Sequence, residues 1–308
     1  MNIGKNLTYF FILPAIFSIL AIVSIGVYGL KPGIDLAGGS LLQVSYPDGR
    51  PSVEAVSTEV SKLGLGEVRI QPTGTTGFIL RQRDLSTVEK NTLEQSLGNL
   101  GTIHEEQFTS VGPILGHELL QKAWIALTLV TLCIILFIAF AFRHVSKPVA
   151  SWKYGVVAIV TLLHDILIPA GLFAFLGHYN GAEVDSLFIV ALLTILGISI
   201  NDTIVVFDRI RENLRQNEEH RKREEFQNVV GMSIRQTLAR SINTSLTVVI
   251  MLLALYLVGP VSTKDFSLTL IIGMIAGTYS SIFLAAPLLV VWEKWQRRGD
   301  ATLATSRK

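Results

Sequence analysis

The apolar run from 187 to 207 constrains the fold of this chain more than any other segment. As a helix it is long enough to cross the hydrocarbon core of a bilayer, yet it contains Asn201 and Asp202. An ionised carboxylate inside a bilayer costs roughly 2.5 to more than 10 kcal/mol, so such a residue usually faces the interior of a helix bundle and has a functional role. Charged residues beginning at Asp208 and Arg209 mark the exit of the helix into water.

Polar and small residues of this run share one broad face of a helix with 3.6 residues per turn. Ser199 lies one turn before Asp202. On an adjoining stripe lie Thr194, Gly197 and Asn201. We expect Ser199 and Asn201 to line a polar path beside Asp202, and Gly197 to let a neighbouring helix pack closely or slide.

Composition places the chain among membrane proteins. Of its 308 residues, 50% are hydrophobic and 16% are charged, and the mean hydropathy is +0.49. Six spans are predicted, at about 7–30, 123–142, 154–176, 187–207, 241–258 and 265–292. The first is longer than the core of a signal peptide and lacks a clear A-x-A site, so we interpret it as an uncleaved span.

Residues 31–120 contain no run that could cross a membrane, and we expect a soluble extracytoplasmic domain between the first and second spans. Hydrophobic periodicity predicts strands at 41–46, 67–72, 77–82 and 102–112 and helices at 52–64 and 86–98. Ser86 and Glu89 form a capping box at the second helix. The order β-α-β-β-α-β matches an α+β ferredoxin-like fold, which by itself implies no chemistry.

The distribution of basic residues predicts the orientation, because cytoplasmic loops carry an excess of lysine and arginine. Arg143 and Lys147 lie in one loop and the 208–240 connection is rich in arginine, whereas 177–186 contains Glu183 but neither lysine nor arginine. Both chain ends are therefore predicted to be cytoplasmic. The remaining domains are the amino-terminal tail with the first span, the five further spans and the carboxy-terminal tail, at 1–30, 121–293 and 294–308.

The 208–240 connection is itself patterned, because apolar residues recur there at helical spacing among arginine, glutamine and serine. These residues are Phe226, Val229, Val230, Ile234 and Leu238. We interpret the pattern as an amphipathic helix that lies along the membrane surface before the fifth span.

Three more spans carry polar or small residues. His164 and Asp165 lie near the midpoint of the third span. In the fifth span a polar stripe follows i, i+3, i+4, i+7 spacing and consists of Arg240, Asn243, Thr244 and Thr247. In the sixth, small residues at intervals of four allow two helices to approach closely, and they are Gly273, Gly277, Ser281 and Ala285. Plain packing and a mechanical role remain alternatives for these glycines.

Two interpretations of Asp202 and Arg240 remain open. Their depths match on helices that run in opposite directions, which favours an internal carboxylate–guanidinium pair with a working role. Both also lie near the cytoplasmic ends of their helices, where side chains that reach the headgroups would serve only as topology markers. For His164 and Asp165, which lie nearer the midplane, the alternatives are a functional site and a buried polar contact that holds two helices together.

Signatures of enzymes, metal sites and nucleic-acid binding are missing from the sequence. His104 and His117 have no second ligand at metal spacing, and the single cysteine, Cys133, is interpreted as a small buried apolar residue. Because the chain contains no HExxH and no GxSxG, an intramembrane protease is a weak alternative. We therefore expect a protein that is not an enzyme and uses no metal or organic cofactor.

Several segments resemble the SecD/SecF family of protein-export membrane proteins, a branch of the resistance-nodulation-division superfamily. They are GIDLAGG (33–39), VGPILGHEL (111–119), GISINDTIVVFDRIREN (197–213), ARSINTSLT (239–247) and GTYSSIFLAAPLL (277–289). The residues that carry the first of these motifs are Gly33, Asp35, Gly38 and Gly39. Leu36 stands where phenylalanine is usual, a mild departure.

The resemblance is to the six-span SecF members, and it implies a subunit of the bacterial cytoplasmic membrane that pairs with SecD and associates with the Sec channel. Such a subunit uses the proton-motive force to help draw unfolded exported polypeptides across after the ATP-driven motor has acted. The resemblance assigns proton coupling to Asp202 and Arg240, and we extend it to Asp165 and His164. Alternatives are a proton-driven exporter of small molecules or lipids from the same superfamily, and a structural scaffold.

Overall fold

Six helices in the described part of the chain are long and apolar enough to cross a membrane, which confirms the six predicted spans. The computed structural model describes residues 3–141, 149–221 and 224–306. Arg143 and Lys147, on which the predicted orientation partly rests, lie outside the described residues. The chain contains a helical unit, within Met1–Gly29, Ala126–His178 and Leu187–Lys308, and an α+β unit, within Leu30–Ile125 and Tyr179–Ser186.

One long helix comes first, a segment of short helices and strands follows, and long helices form most of the remaining described chain. In chain order they are α1 (Ile3–Tyr28), α2 (Ile34–Ala37), β1 (Gly39–Ser45), α3 (Val53–Ser61), β2 (Arg69–Thr73), β3 (Gly77–Gln82), α4 (Thr87–Gly98), β4 (His104–Val111), α5 (Pro113–Ala141), α6 (Ser151–Tyr179), α7 (Ser186–Glu219), α8 (Phe226–Val258), α9 (Lys264–Ser280) and α10 (Ala286–Ser306). The sixth span is not one regular helix, because a π-helical turn, Ser281–Ala285, separates α9 from α10. Such turns are rare and often mark functional sites.

The four strands of the α+β unit form one antiparallel sheet in the order β2-β3-β1-β4. Leu42 and Val44 of β1 and Phe78 and Leu80 of β3 are fully buried, because alternate residues of a strand point to the same face. They pack with apolar residues of α3 and α4, namely Val56, Val60, Leu93 and Leu97. All six predicted elements are present with shifted ends, and the strand order is compatible with the split β-α-β interpretation.

The 208–240 segment differs from the sequence interpretation, because its described residues are largely helical. Helix α7 continues past the fourth span to Glu219. Helix α8 begins at Phe226 and runs without interruption to Val258. The described residues of this segment therefore contain no separate surface helix.

The apolar face at the start of α8 packs against protein rather than lying free for a membrane surface. Phe226, Val230 and Ile234 belong to the buried core of the helical unit. Asn213 of α7 donates from Nδ2 to the hydroxyl of Ser233 in α8 at 2.8 Å. An amphipathic stripe specifies only that one face must be covered, and here the neighbouring helices cover it.

Gly38 and Gly39 adopt backbone conformations that favour glycine, with φ of +81° and +143°. A Cβ atom on Gly38 would lie 2.7 Å from the Cα atom of Pro113, and one on Gly39 would lie 2.6 Å from the carbonyl oxygen of Gln82. Both obstacles are backbone atoms, which cannot move aside as the end of a side chain can. The backbone just before β1 therefore lies so close to the start of α5 that only glycine fits at position 38.

We expect Gly38→Ala to destabilise the protein by about 3 kcal/mol, because it combines a positive φ with a backbone clash. Gly64→Ala is the matched control, since Gly64 also has a positive φ, of +62°, but nothing lies within 4 Å of its Cβ position. The control should lose only about 1 kcal/mol. Denaturant unfolding of the purified protein in detergent measures both, and equal losses would contradict the proposed close approach.

Candidate functional site

Asp165 is fully buried in the helical unit and connects three helices. Its carboxylate accepts a hydrogen bond from the hydroxyl of Ser199 in α7. The other carboxylate oxygen lies 3.0 Å from Nδ1 of His164, its neighbour in α6. Nε2 of His164 in turn lies 2.9 Å from the hydroxyl of Tyr279 in α9. The four side chains form one hydrogen-bonded cluster, which we call the Asp165 cluster.

Asp202 is also buried, with 7% of its surface exposed, and it belongs to a second chain of hydrogen bonds. The hydroxyl of Ser245 in α8 donates to Oδ2 of Asp202 at 3.4 Å. The hydroxyl of Thr278 in α9 donates to the oxygen of Ser245 at 2.6 Å. This Asp202 chain therefore extends from α7 through α8 to α9.

The Asp165 cluster and the Asp202 chain end on the same two helices. Ser199 and Asp202 lie one turn apart on α7, and Thr278 and Tyr279 are consecutive residues of α9. Hydroxyl and imidazole groups both donate and accept hydrogen bonds, so each can change partner when a carboxylate gains or loses a proton. A change of protonation at Asp165 thus alters the contacts of α6 with α7 and α9. A change at Asp202 alters the contact of α7 with α8, and through Ser245 the contact of α8 with α9.

Arg240 does not form the direct pair with Asp202 that one sequence interpretation favours. The structure, within its described residues, gives the two no ion pair, and Arg240 is exposed on α8. Asn243, Thr244 and Thr247 are exposed on the same helix. The predicted polar stripe of the fifth span therefore lies on the outside of the single chain.

The predicted polar face of the fourth span divides into two parts. Ser199 and Asp202 point into the bundle, whereas Asn201 and Gly197 are exposed. The latter two line an open groove between α5 and α7, together with Cys133. Cys133 is exposed, so its interpretation as a buried residue was wrong. The described residues contain no group of histidine, cysteine and acidic side chains that could hold a metal ion.

Two of the three predicted packing glycines lie at a close contact between α7 and α9. A Cβ atom on Gly273 would lie 2.2 Å from Cδ1 of Ile195, and one on Gly277 would lie 2.9 Å from Cβ of Ser199. Gly197 has nothing within 4 Å of its Cβ position. The close approach of α9 to α7 places Tyr279 within reach of His164 and Thr278 within reach of Ser245.

Sequence reasoning did not single out Tyr279, Ser245 or Thr278. In sequence a tyrosine inside a span cannot be told from one that faces lipid, and Ser245 and Thr278 are small residues of a kind common in membrane helices. The glycine spacing of the sixth span was the available signal, because residues next to a close helix contact are well placed for side-chain contacts across it.

The glycine-rich motif at 33–39 lies in the α+β unit. The backbone N–H of Gly33 donates to the carbonyl oxygen of Val184 at 2.8 Å. A carboxylate oxygen of Asp35 accepts from the backbone N–H of Ser186, the first residue of α7, at 3.4 Å. Gly38 and Gly39 allow the close passage described above. The motif residues therefore organise the α+β unit.

Comparison with known families gives two matches. Residues 92–295 match the family described as Protein export membrane protein SecD/SecF, C-terminal, and residues 23–46 match the one described as SecD/SecF GG Motif. Protein translocase subunit SecF of Thermobaculum terrenum is 42% identical over 298 residues, which cover 92% of this chain and 91% of the relative. Protein translocase subunit SecDF of Bacillus subtilis is 32% identical over 302 residues, which cover 95% of this chain and 38% of the relative.

Solved structures are similar as well. The crystal structure of SecDF from Thermus thermophilus, described as a translocon-associated membrane protein, has a TM-score of 0.83 and 31% identity, and the match covers 96% of this chain. A SecDF structure in a form described as super-membrane-facing has a TM-score of 0.69 and 31% identity over 98% of this chain. This chain spans 39% and 40% of those two longer chains.

Proposed function

Because this chain belongs to the SecD/SecF family of protein export membrane proteins, we propose that it works with a SecD partner and uses the proton-motive force to assist protein export. The substrates are unfolded polypeptides that pass through the Sec channel after ATP-driven translocation. The coupling ion is the proton, and no other cofactor takes part. The chain acts as a transport subunit and not as an enzyme.

One observation supports proton coupling above all others: two buried carboxylates are connected through hydroxyl and imidazole groups to the same pair of helices. An ionised Asp202 can only accept a hydrogen bond from Ser245, whereas a protonated one can also donate. A proton crossing the membrane field is worth about 2.3 kcal/mol per 100 mV. A few protons per cycle therefore suffice to favour one packing of α7, α8 and α9 over another.

The exposed polar stripe of α8 supports a membrane partner. Arg240 and the three polar residues beyond it would be costly against hydrocarbon, so in a membrane another protein surface covers them. We assign this surface to SecD, because the SecDF relatives combine both names in one longer chain. When SecD covers this stripe, Arg240 lies between Asp202 and groups of SecD. A change in the protonation of Asp202 can then change the position of Arg240.

The proposed orientation follows the distribution of charge. The loop that contains Glu183 has no lysine or arginine and belongs to the α+β unit. The 208–240 connection is rich in arginine, and the turn between α7 and α8 within it has charged residues of both signs. By the positive-inside rule the α+β unit lies outside the cytoplasm, the two chain ends lie in the cytoplasm, and the membrane is the bacterial cytoplasmic membrane.

We expect the double variant Asn243→Leu and Thr247→Leu to bind SecD roughly sevenfold more weakly, because interhelical hydrogen bonds in membranes contribute about 0.6 kcal/mol each. Copurification of SecD from membranes in mild detergent measures the loss. Met251→Leu, at an exposed apolar position of the same helix, is the control and should be neutral. Undiminished binding in the double variant would show that SecD does not cover this stripe.

The function as a whole is tested by export of a precursor protein into inverted membrane vesicles that lack the native subunit. Adding this chain with SecD should restore stimulation of export by a proton gradient, with ATP-driven export unchanged. If the proton gradient stimulates export equally in vesicles that lack this chain, the proposal is refuted. Copurification with Sec channel subunits separates it from the alternative of a proton-driven exporter of small molecules or lipids, which would not bind that channel.

A further inference from the structure

The loop between α6 and α7 is an integral part of the α+β unit. Val184 forms a parallel bridge with Pro32, in which its backbone N–H donates to the carbonyl oxygen of Lys31 at 2.8 Å and its own carbonyl accepts from Gly33 at 2.8 Å. Asp35 accepts from the first backbone N–H of α7. The backbone contacts hold the middle of the loop and its junction with α7.

Glu183 adds a side-chain attachment to these backbone contacts. Its carboxylate lies 3.0 Å from Nη1 of Arg69 and 3.2 Å from Nε of Arg81. The two arginines are register partners on β2 and β3, so both present their guanidinium groups on the same face of the sheet. Arg81 also donates to the side chain of Gln71 at 2.8 Å, which orients it.

The Glu183 contact is more than a surface ion pair. The carboxylate side chain is only 12% exposed, and one anion faces two cations. Exposed pairs typically contribute little, but removing one member of a pair that is largely shielded from water leaves the remaining charges unpaired. Without Glu183, Arg69 and Arg81 would repel each other across neighbouring strands. The loop then loses its ionic attachment to the sheet and keeps the 3.4 Å hydrogen bond from the side chain of Gln71 to the carbonyl oxygen of Asn180.

We propose that Glu183 is a positioning residue that fastens the α6–α7 loop to the sheet of the α+β unit, so that movement of this unit is transmitted along α7 to Ser199 and Asp202. This inference rests on the proposed function. The mechanical link is direct, because α7 begins at Ser186 and is an uninterrupted helix through both residues. A helix resists bending far more than a loop does. Movement of the fastened start of α7 therefore also moves Ser199 and Asp202.

The first test is Glu183→Gln, which keeps the side-chain size and removes the charge. We expect amide hydrogen exchange at Gly33 and Val184 to rise by roughly tenfold, as local opening becomes easier. Stimulation of export by a proton gradient should fall by more than half, with ATP-driven export unchanged. Glu59→Gln is the control, because Glu59 is partly exposed and pairs with a single exposed lysine, Lys62, in the same unit.

A rescue experiment separates positioning from a general loss of structure. Pro32 and Val184 are bridge partners, so cysteines at both positions lie within reach of a disulfide. In a Cys133→Ser background with Glu183→Gln, oxidation of this cysteine pair should restore the gradient-dependent export, and reduction should abolish it again. A disulfide that restores nothing would overturn the proposal.

The other outcomes are equally decisive. Unchanged exchange in Glu183→Gln would mean that the ion pairs do not hold the loop. If amide hydrogen exchange rises while gradient-dependent export stays normal, the attachment of the loop at Glu183 does not transmit motion along α7. If the wild-type chain itself shows no stimulation by a gradient, the proposed function fails, and the exchange measurement still decides whether Glu183 fastens the loop.

Discussion

Asp202→Asn is expected to reduce export in the presence of a proton gradient to the level seen without one. Asparagine has nearly the same shape and can still bond to Ser245, so the packing of α7 against α8 and α9 should persist. What it cannot do is bind and release a proton. The loss should therefore appear in the gradient-dependent part of export alone, measured in inverted vesicles with and without an uncoupler.

The matched control for this variant is Asp208→Asn. Asp208 lies on the same helix but its side chain is 68% exposed and only distantly paired with Arg211, so neutralising it should leave stimulation intact. Copurification with SecD should be normal for both variants, which separates a failure of coupling from a failure of assembly. Normal stimulation in Asp202→Asn would remove this carboxylate from the mechanism.

Gly273→Ala is expected to destabilise the purified chain by about 1–3 kcal/mol, because it overpacks a full helix contact. The new Cβ atom would lie 2.2 Å from Cδ1 of Ile195, whose side chain is fully buried. Helices α7 and α9 would have to separate. Since the Asp165 cluster spans this contact, the separation should also stretch the bond between His164 and Tyr279.

Gly197→Ala provides the comparison within the same helix pair. Nothing lies within 4 Å of its Cβ position, and alanine is favoured over glycine in a helix by up to about 1 kcal/mol. The control should therefore be neutral or slightly stabilising in thermal unfolding measured in detergent. An equal loss in both variants would show that glycine matters here for helix flexibility and not for the close approach of α9.

The six spans and the carboxylate at Asp202 were predictable because each leaves a signal within one stretch of chain. A span needs an apolar run of sufficient length, and an ionisable residue inside such a run stands out. The α+β unit was predictable for a similar reason, since alternation along strands and the capping box of Ser86 and Glu89 are local patterns, and the capping box is formed as predicted.

Local patterns could not predict what covers the apolar face of the 208–240 segment or in which direction Arg240 points. The amphipathic stripe of α8 requires an apolar neighbour, but its pattern is the same whether that neighbour is a membrane surface or the extension of α7. Arg240 was placed on the correct helix, yet the direction in which it points depends on the rotation of α8 about its axis. That rotation is set by contacts with α7 and α9.

The sequence by itself determined the membrane class, the number of spans, the order of elements in the α+β unit and the presence of carboxylates within the spans, because these properties depend on segment length and periodicity. Only the tertiary structure decided that Asp165 contacts Ser199 and His164, that Tyr279 completes the cluster, and that Glu183 joins two strands. These contacts join residues far apart in the chain, and their geometry exists only once the helices and strands have packed.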